Sequence, residues 1–288
     1  MQPWHLTISS SGRFPLFPTE ASRRQALSAM GRTIGHQLAL YHLGDEHFHA
    51  ALVGERPEIR RSRQALTQAL THLSDTPLEP SYCKQVRDRR HMLWLVEYLL
   101  TQPSHHGHPV DPALWTGSCF PDLVGARRIP GVRLQLNAVL PRFQLRSAYQ
   151  HVGLSPVEIV PADRRLVWAA GAPRLIHAAA ASLCVDPDLR GNGARVVEAR
   201  VAAAHLARES RILTMDMAYL MGLTDGGARR LATRWIDRRT LDAVRRYIAL
   251  ESAVWEVRGS IPRVRFWQGP NGNRRHQEIW PRPHPGGV

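Results

Sequence analysis

Residues 41–54 read YHLGDEHFHAALVG, and two strand-forming runs in this stretch flank the turn Gly44-Asp45-Glu46. A short glycine-containing connection between such runs predicts an antiparallel hairpin. On a strand, side chains two residues apart point to the same face, so His47 and His49 project together while Phe48 faces the other way. Two imidazoles held on one face can chelate a divalent ion. The hairpin therefore carries one half of a candidate metal site.

Further elements are predicted on both sides of this hairpin. The run WHLTISS at residues 4–10 predicts a first strand, and Thr19 can cap the helix that follows it. After the hairpin, the run from Pro57 predicts an amphipathic helix, and residues 83–103 predict another helix that their final proline ends. This order predicts an α+β domain over residues 1–131, with helices packed on an antiparallel sheet.

The rest of the chain changes in composition. Residues 132–171 form a linker to which the sequence assigns no structure. Ala-rich segments of helical periodicity fill residues 172–257 and predict a second, all-α domain. Residues 258–288 are rich in Gly, Pro and Arg and predict a loosely ordered basic tail.

The charge of the chain indicates its class of partner. There are 38 Lys and Arg residues against 24 Asp and Glu, a formal net charge of +14, and almost all the cations are arginine. Arginine suits phosphate, so nucleic acid is the first partner to consider; a GC-rich genome that inflates arginine content is the alternative. Without a long apolar run, a signal peptide or paired cysteines (Cys83, Cys119, Cys184), a soluble cytoplasmic protein with no membrane contact is expected.

The His-x-His pattern alone is weak evidence for a metal site. The chain has 15 histidines, enough to give such a triplet about once by chance, and His106 and His108 form a second one. That second pair follows a helix-ending proline and surrounds Gly107, which favours a surface loop. For His47 and His49 the alternative to a metal site is an ordinary surface or packing role.

A tyrosine downstream strengthens the case for chemistry. Tyr98 and Gln102 are four residues apart and so share one helix face. Beside a metal ion that polarises a phosphate, a tyrosine hydroxyl can attack phosphorus and form a covalent adduct. The Gln102 carbonyl oxygen would be a third ligand beside His47 and His49. The alternative is that Tyr98 simply packs on the sheet.

Four segments together resemble the HUH single-tyrosine transposases, in the branch associated with repetitive extragenic palindromes of bacteria. The family's first strand is YHVTSRGN-like, its metal strand reads YCLMPNHVHLLV, its tyrosine helix reads YIHLNPVRAGLV, and a Trp-Ser segment follows. The counterparts here, in the same order, are WHLTISSSGR, YHLGDEHFHAALV, YLLTQPSHHGHPV and LWTGS. The resemblance covers about residues 4–131.

This resemblance implies a ferredoxin-like HUH fold and a specific activity. His47, His49 and Gln102 would bind Mg²⁺ or Mn²⁺, with Gln102 where the branch usually has Asn, and Tyr98 would be the nucleophile. Such proteins cut single-stranded DNA beside a hairpin, form a 5′-phosphotyrosine link and leave a 3′-OH. The family's MPN and VRAG are here GDE (44–46) and SHHG (104–107). These departures motivate the alternative of an inactive hairpin-binding or duplex-binding regulator; a metal hydrolase unrelated to DNA explains neither the charge nor the tyrosine.

The helical domain contains a candidate duplex-binding motif. Thr214 opens a helix, Ala218 sits where two helices would pack closely, and Gly222 ends the helix in a turn. The next helix, DGGARRLATRW at residues 225–235, would then be the recognition helix. Its exposed cations would contact phosphates or base edges, and they are Arg229, Arg230 and Arg234. The preceding segment, ARVVEARVAAAHLARES at residues 194–210, resembles the helix before the same motif in the DNA-binding domain of the bacterial replication initiator. The alternative is that an Ala-rich helix pair with surface arginines is ordinary architecture.

Overall fold

The computed structural model describes residues 2–105, 110–155 and 159–259. Its strands are β1 (Pro3–Ser9), β2 (Leu38–Leu43), β3 (His47–Val53) and β4 (Tyr82–Gln85). The first helices are α1 (Glu20–Ile34), α2 (Arg56–Thr71), α3 (Arg89–His105), α4 (Phe120–Leu123), α5 (Leu136–Val139) and α6 (Leu145–His151). The later helices are α7 (Arg164–Ser182), α8 (Ala194–Glu209), α9 (Thr214–Leu220), α10 (Asp225–Leu231) and α11 (Arg238–Arg258).

The four strands form one antiparallel sheet in the order β2-β3-β1-β4. The predicted hairpin is present as β2 and β3, and β1 pairs with the other edge of β3 with Thr7 opposite His49. Helix α1 joins β1 to β2, and α2 joins β3 to β4. This architecture agrees with the predicted antiparallel sheet with helices, followed by a helical part.

The two faces of the sheet differ in chemistry. On β1, Trp4, Leu6 and Ile8 are buried, while the alternating residues His5 and Thr7 are only partly buried. Since directly paired residues point to the same face, this less apolar face also carries His49. Burying the apolar face stabilises the sheet, and the opposite face is left for polar side chains.

One predicted helix boundary is wrong. The stretch predicted as a single helix from Cys83 begins instead with β4, the strand at the edge of the sheet, and α3 starts only at Arg89. Pro103 does not end α3, which continues to His105. Pro103 lacks the backbone donor that would bond the carbonyl of Leu99, so it weakens the end of α3 without stopping the helix at that residue.

The segment at residues 129–132 packs closely on α1. A side-chain carbon on Gly31 would lie 2.3 Å from the backbone oxygen of Pro130, and one on Gly35 would lie 2.3 Å from that of Gly131. Only glycine allows two backbone segments to approach this closely. The predicted domain boundary near residue 131 is thus a tightly packed segment of the structure.

We expect the Gly31→Ala substitution to destabilise the protein. An alanine at a helical glycine normally gains about 1 kcal/mol, but the overlap with Pro130 should cost more, for a net loss of about 1–3 kcal/mol. Urea unfolding measures this change in the free energy of unfolding. The control is Gly226→Ala in α10, where an added carbon meets no atom within 4 Å; equal stabilities of the two variants would contradict the prediction.

The segment left unassigned by the sequence contains structure. Helices α5 and α6 lie in it, and α7 begins at Arg164, before the helical domain was predicted to start. Contacts also join the two parts of the chain: the backbone N–H of Arg128 donates to Ser182, and Arg24 pairs with Asp186 at 3.1 Å. The predicted division into domains remains a prediction.

The predicted basic tail falls largely outside the described residues. Arg258, assigned to that tail, is instead the last residue of α11, and Gly259 follows in a left-handed conformation with a φ of 65°. The second His-x-His triplet, at residues 106–108, also lies outside the described part of the chain. Among the helices that are described, none combines the length and the apolar character needed to cross a membrane.

Candidate active site

The polar face of the sheet gathers the residues that the sequence singled out. His47 and His49 on β3 lie side by side, with ring centroids 4.6 Å apart. The strand period places both on this face, and His49 is the more buried of the two. The antiparallel register brings β1 alongside, so that Thr7 Oγ1 lies 3.1 Å and His5 Nε2 lies 3.2 Å from His49 Nδ1.

Helix α3 lies close enough to place its tyrosine against the same histidine. The hydroxyl of Tyr98 is 3.3 Å from His49 Nε2, the ring nitrogen opposite the one that contacts β1. Their ring centroids are 5.3 Å apart, and the planes of the two rings are nearly perpendicular. Each nitrogen of His49 therefore has a defined neighbour, which fixes the orientation of the imidazole.

Gln102 completes the cluster one helical turn beyond the tyrosine. Its side-chain oxygen Oε1 is 3.2 Å from His47 Nε2, and the Gln102 side chain is buried. The structure thus brings together His47, His49, Tyr98 and Gln102, from two elements about 50 residues apart in sequence.

The local environment affects the ionisation of the site. Burial, and secondarily the charge of His91, lowers the pKa of His5 to about 4, so His5 is neutral at neutral pH. Burial also raises the pKa of the Tyr98 hydroxyl, against a smaller lowering by a hydrogen bond with Gln102. Tyr98 is consequently a protonated phenol at neutral pH and needs activation to act as a nucleophile.

The donor atoms fit a divalent ion only if the amide takes part. Within the described ranges, no cluster of three or more His, Cys, Asp or Glu side chains could hold a metal ion. Two imidazole nitrogens from His47 and His49 and the Gln102 oxygen make a three-ligand set, and Mg²⁺ and Mn²⁺ accept carbonyl oxygens. In the contact with Gln102, His47 Nε2 donates its proton to the amide oxygen. To bind a metal ion, this nitrogen would have to be unprotonated. Thr7 or His5 would orient His49 through its other nitrogen.

Three further site residues were missed from the sequence. His5 and Thr7 contact His49 directly, and His42 is a buried residue of β2 paired in register with His49. The alternation of the first strand already places His5 and Thr7 on one face. Which strand lies beside β3, and in which register, is set by the fold and could not be read from that alternation.

The candidate duplex-binding residues lie elsewhere, on two short helices. Helices α9 and α10 are joined by a turn in which Gly222 has a φ of 63°, and Thr224 caps α10 by accepting from Gly227 N. Helices α9 and α10 pack against each other, and Ala218 and Ala228 are buried. This arrangement agrees with the spacing predicted from the sequence.

The three arginines of this region differ in their surroundings. All are exposed, but Arg229 pairs with Asp225 at 2.9 Å. Arg234 lies beyond the end of α10 at Leu231, so the prediction that the helix extends to residue 235 is wrong. Arg230 and Arg234 line a groove together with Arg200 of α8.

Comparisons with known proteins give little further information. No family model matches the chain, and no curated protein matches it. A solved structure of a REP-associated tyrosine transposase bound to a REP hairpin is similar at 20% sequence identity, covering 43% of this chain and 79% of the other, with a TM-score of 0.34. This likeness is too weak to support a conclusion on either fold or function.

Proposed function

We propose that the protein is a metal-dependent endonuclease and strand transferase of the HUH type, acting on single-stranded DNA beside a hairpin. The observation that carries the proposal is the position of the Tyr98 hydroxyl, 3.3 Å from one of two adjacent histidines. A buried amide oxygen lies at the second histidine. A nucleophile beside a set of candidate metal ligands is the arrangement that phosphoryl transfer needs.

The proposed reaction is a transesterification, with the strand polarity that the resemblance to the HUH transposases implies. Tyr98 Oη attacks the phosphorus, the bond from phosphorus to the 3′-oxygen breaks, and the products are a 5′-phosphotyrosine and a 3′-OH. The tyrosine proton leaves as the bond forms, and the 3′-oxygen takes up a proton. Attack of a 3′-OH on the phosphotyrosine reverses the step and joins strands without a nucleotide cofactor. A bound Mg²⁺ or Mn²⁺ would polarise the phosphate and stabilise the charge that develops on it.

The test is formation of a covalent adduct. The full chain is incubated with labelled hairpin oligonucleotides carrying single-stranded flanks, with Mg²⁺, Mn²⁺ or EDTA, and separated on a denaturing gel. We expect a metal-dependent band that peptide mass spectrometry maps to Tyr98. The absence of a band on a panel of hairpins, or a nucleotide mapped to another residue, would contradict the assignment. In the first case the alternative is a catalytically inactive protein that binds hairpin or duplex DNA.

For the C-terminal helices we propose a role in binding duplex DNA as a helix-turn-helix. Two short helices joined by a glycine turn, with exposed arginines on the second and at its end, support this role. The groove lined by Arg200, Arg230 and Arg234 concentrates positive charge beside α10. Such charge contributes binding energy through phosphates rather than through base sequence.

We expect the Arg230→Ala/Arg234→Ala double variant to bind duplex DNA more weakly on every sequence. Each lost phosphate contact should reduce the slope of log affinity against log salt by about 1, so the slope falls by about 2. Fluorescence anisotropy over a salt series measures it. Arg60→Ala/Arg61→Ala, two exposed arginines of α2, is the matched control. Equal slopes for the two double variants would refute the assignment.

A further inference from the structure

An exposed tryptophan stacks on the proposed nucleophile. Trp94 precedes Tyr98 by one helical turn, and the two rings are nearly parallel, with centroids 5.0 Å apart and an interplanar angle of 15°. Trp94 nevertheless remains 51% exposed. The His91 ring also lies near the indole, with centroids 5.9 Å apart and an interplanar angle of 46°. The part of the indole that these two rings leave uncovered is the surface available to a flat partner.

The surface leading to this tryptophan is positively charged. Lys84 on β4 is exposed and is paired in register with His5, so it belongs to the same face of the sheet as the site. Arg87 and Arg90 are exposed between β4 and the first turn of α3. Proteins bind single-stranded nucleic acid with such a combination: the cations contact the phosphates, and the exposed aromatic ring stacks on a base.

The acidic residues nearby do not remove this positive character. Asp88 accepts a hydrogen bond from the backbone N–H of His91 at 2.8 Å and so caps the start of α3. Glu97 is exposed on the same helix. Against these two carboxylates stand Lys84, Arg87 and the two arginines that open α3, so the approach to Trp94 has a net positive charge.

We propose that Trp94 is the stacking platform for an unpaired base next to the phosphate that Tyr98 attacks. This inference rests on the proposed function and deepens it, because it identifies what the site recognises beside the scissile bond. A base inside a duplex is already stacked on its neighbours, whereas an unpaired base can stack on the exposed part of the indole. Trp94 would therefore select single-stranded flanks and hold the adjacent phosphate near the Tyr98 hydroxyl.

The test is a double-mutant cycle in which the tryptophan is changed in the protein, a base is removed from the DNA, and the binding affinity is measured for each combination. It uses the full chain carrying Tyr98→Phe, which keeps the aromatic ring beside Trp94 but cannot form an adduct, in EDTA. The probes are a fluorescein-labelled self-complementary hairpin with an eight-nucleotide oligo-dT flank and a series in which one abasic residue is moved along that flank. Each probe is titrated with the Trp94 protein and with the Trp94→Ala, Trp94→Phe and Trp168→Ala variants.

We expect one abasic position to weaken binding by the Trp94 protein about ten-fold. The same abasic probe should weaken binding by the Trp94→Ala protein less than about two-fold, because the indole on which that base would stack is already absent. Trp94→Phe should retain part of the effect, and Trp168→Ala, a similarly exposed tryptophan on α7, should behave like the parent. A purely structural role for Trp94 would lower affinity for all probes equally, and that result would overturn the proposal.

A second measurement locates the strand independently. Lys84 is the only lysine in the chain, so an amine-reactive reagent modifies only its side chain and the chain's α-amino group. Bound oligo-dT flank should slow the reaction of the Lys84 amine at least about five-fold in the parent protein. The protection should be smaller in Trp94→Ala, because this variant binds the flank more weakly. Unchanged reactivity of Lys84 at saturating DNA would contradict the proposed path.

The outcomes separate this inference from the proposed function. If one abasic position weakens binding only when Trp94 is present, and the wild-type protein forms no covalent adduct, strand cleavage would be overturned and base stacking supported. An adduct on Tyr98 together with equal losses for every probe would overturn the stacking role alone. A protein that binds none of the probes would overturn both.

Discussion

The Tyr98→Phe variant is expected to form no covalent DNA adduct while it still binds hairpin DNA. The substitution removes only the hydroxyl, which lies 3.3 Å from His49 Nε2, and keeps the ring that stacks on Trp94. Loss of a nucleophile that forms a covalent intermediate should lower the rate by at least about a thousand-fold. A denaturing gel measures the adduct, and fluorescence anisotropy measures binding.

The matched control for this prediction is Tyr82→Phe. Tyr82 is an exposed tyrosine of β4 paired in register with Thr7, so it lies on the same face of the sheet as Tyr98. Its variant should form the adduct at the wild-type rate. An adduct that persists in Tyr98→Phe but disappears in Tyr82→Phe would contradict the assignment and identify Tyr82 on the edge strand as the nucleophile.

The Arg127→Met substitution is expected to cause the largest loss of stability. Arg127 and Asp122 form a buried ion pair with a 2.5 Å contact, and both also contact the Tyr41 hydroxyl. Arg127 also donates to the backbone oxygens of Thr116 and Ser118, fixing that loop against the edge of β2. Removing the guanidinium leaves a buried carboxylate without its charge partner, which costs about 3–5 kcal/mol.

Two further variants test the physical reason for this loss. In Arg127→Met/Asp122→Leu no buried charge is left, so the double variant should recover a substantial part of the lost stability. Arg229→Met breaks an exposed ion pair with Asp225 and should change the free energy of unfolding by no more than about 1 kcal/mol. Urea unfolding of the three proteins measures these differences, and an Arg127→Met protein as stable as Arg229→Met would contradict the argument.

The sequence was a good guide where local periodicity is strong. The β2–β3 hairpin, α1 with its Thr19 cap and the amphipathic α2 all follow from apolar spacing and from residues suited to caps and turns. Strand β4 was missed because its four residues, YCKQ, are mostly exposed and show no apolar alternation. Its structure depends on pairing with β1, which is a contact distant in sequence.

The same distinction applies to the candidate site. The sequence by itself determined that His47 and His49 share a strand face and that Tyr98 and Gln102 share a helix face, since both pairings follow from the geometry of a single element. Only the tertiary structure decided that α3 brings its pair to within 3.2–3.3 Å of the histidines. It alone also placed β1 beside His49. These contacts depend on how the elements pack around a shared core, and packing is set by the whole chain rather than by local spacing.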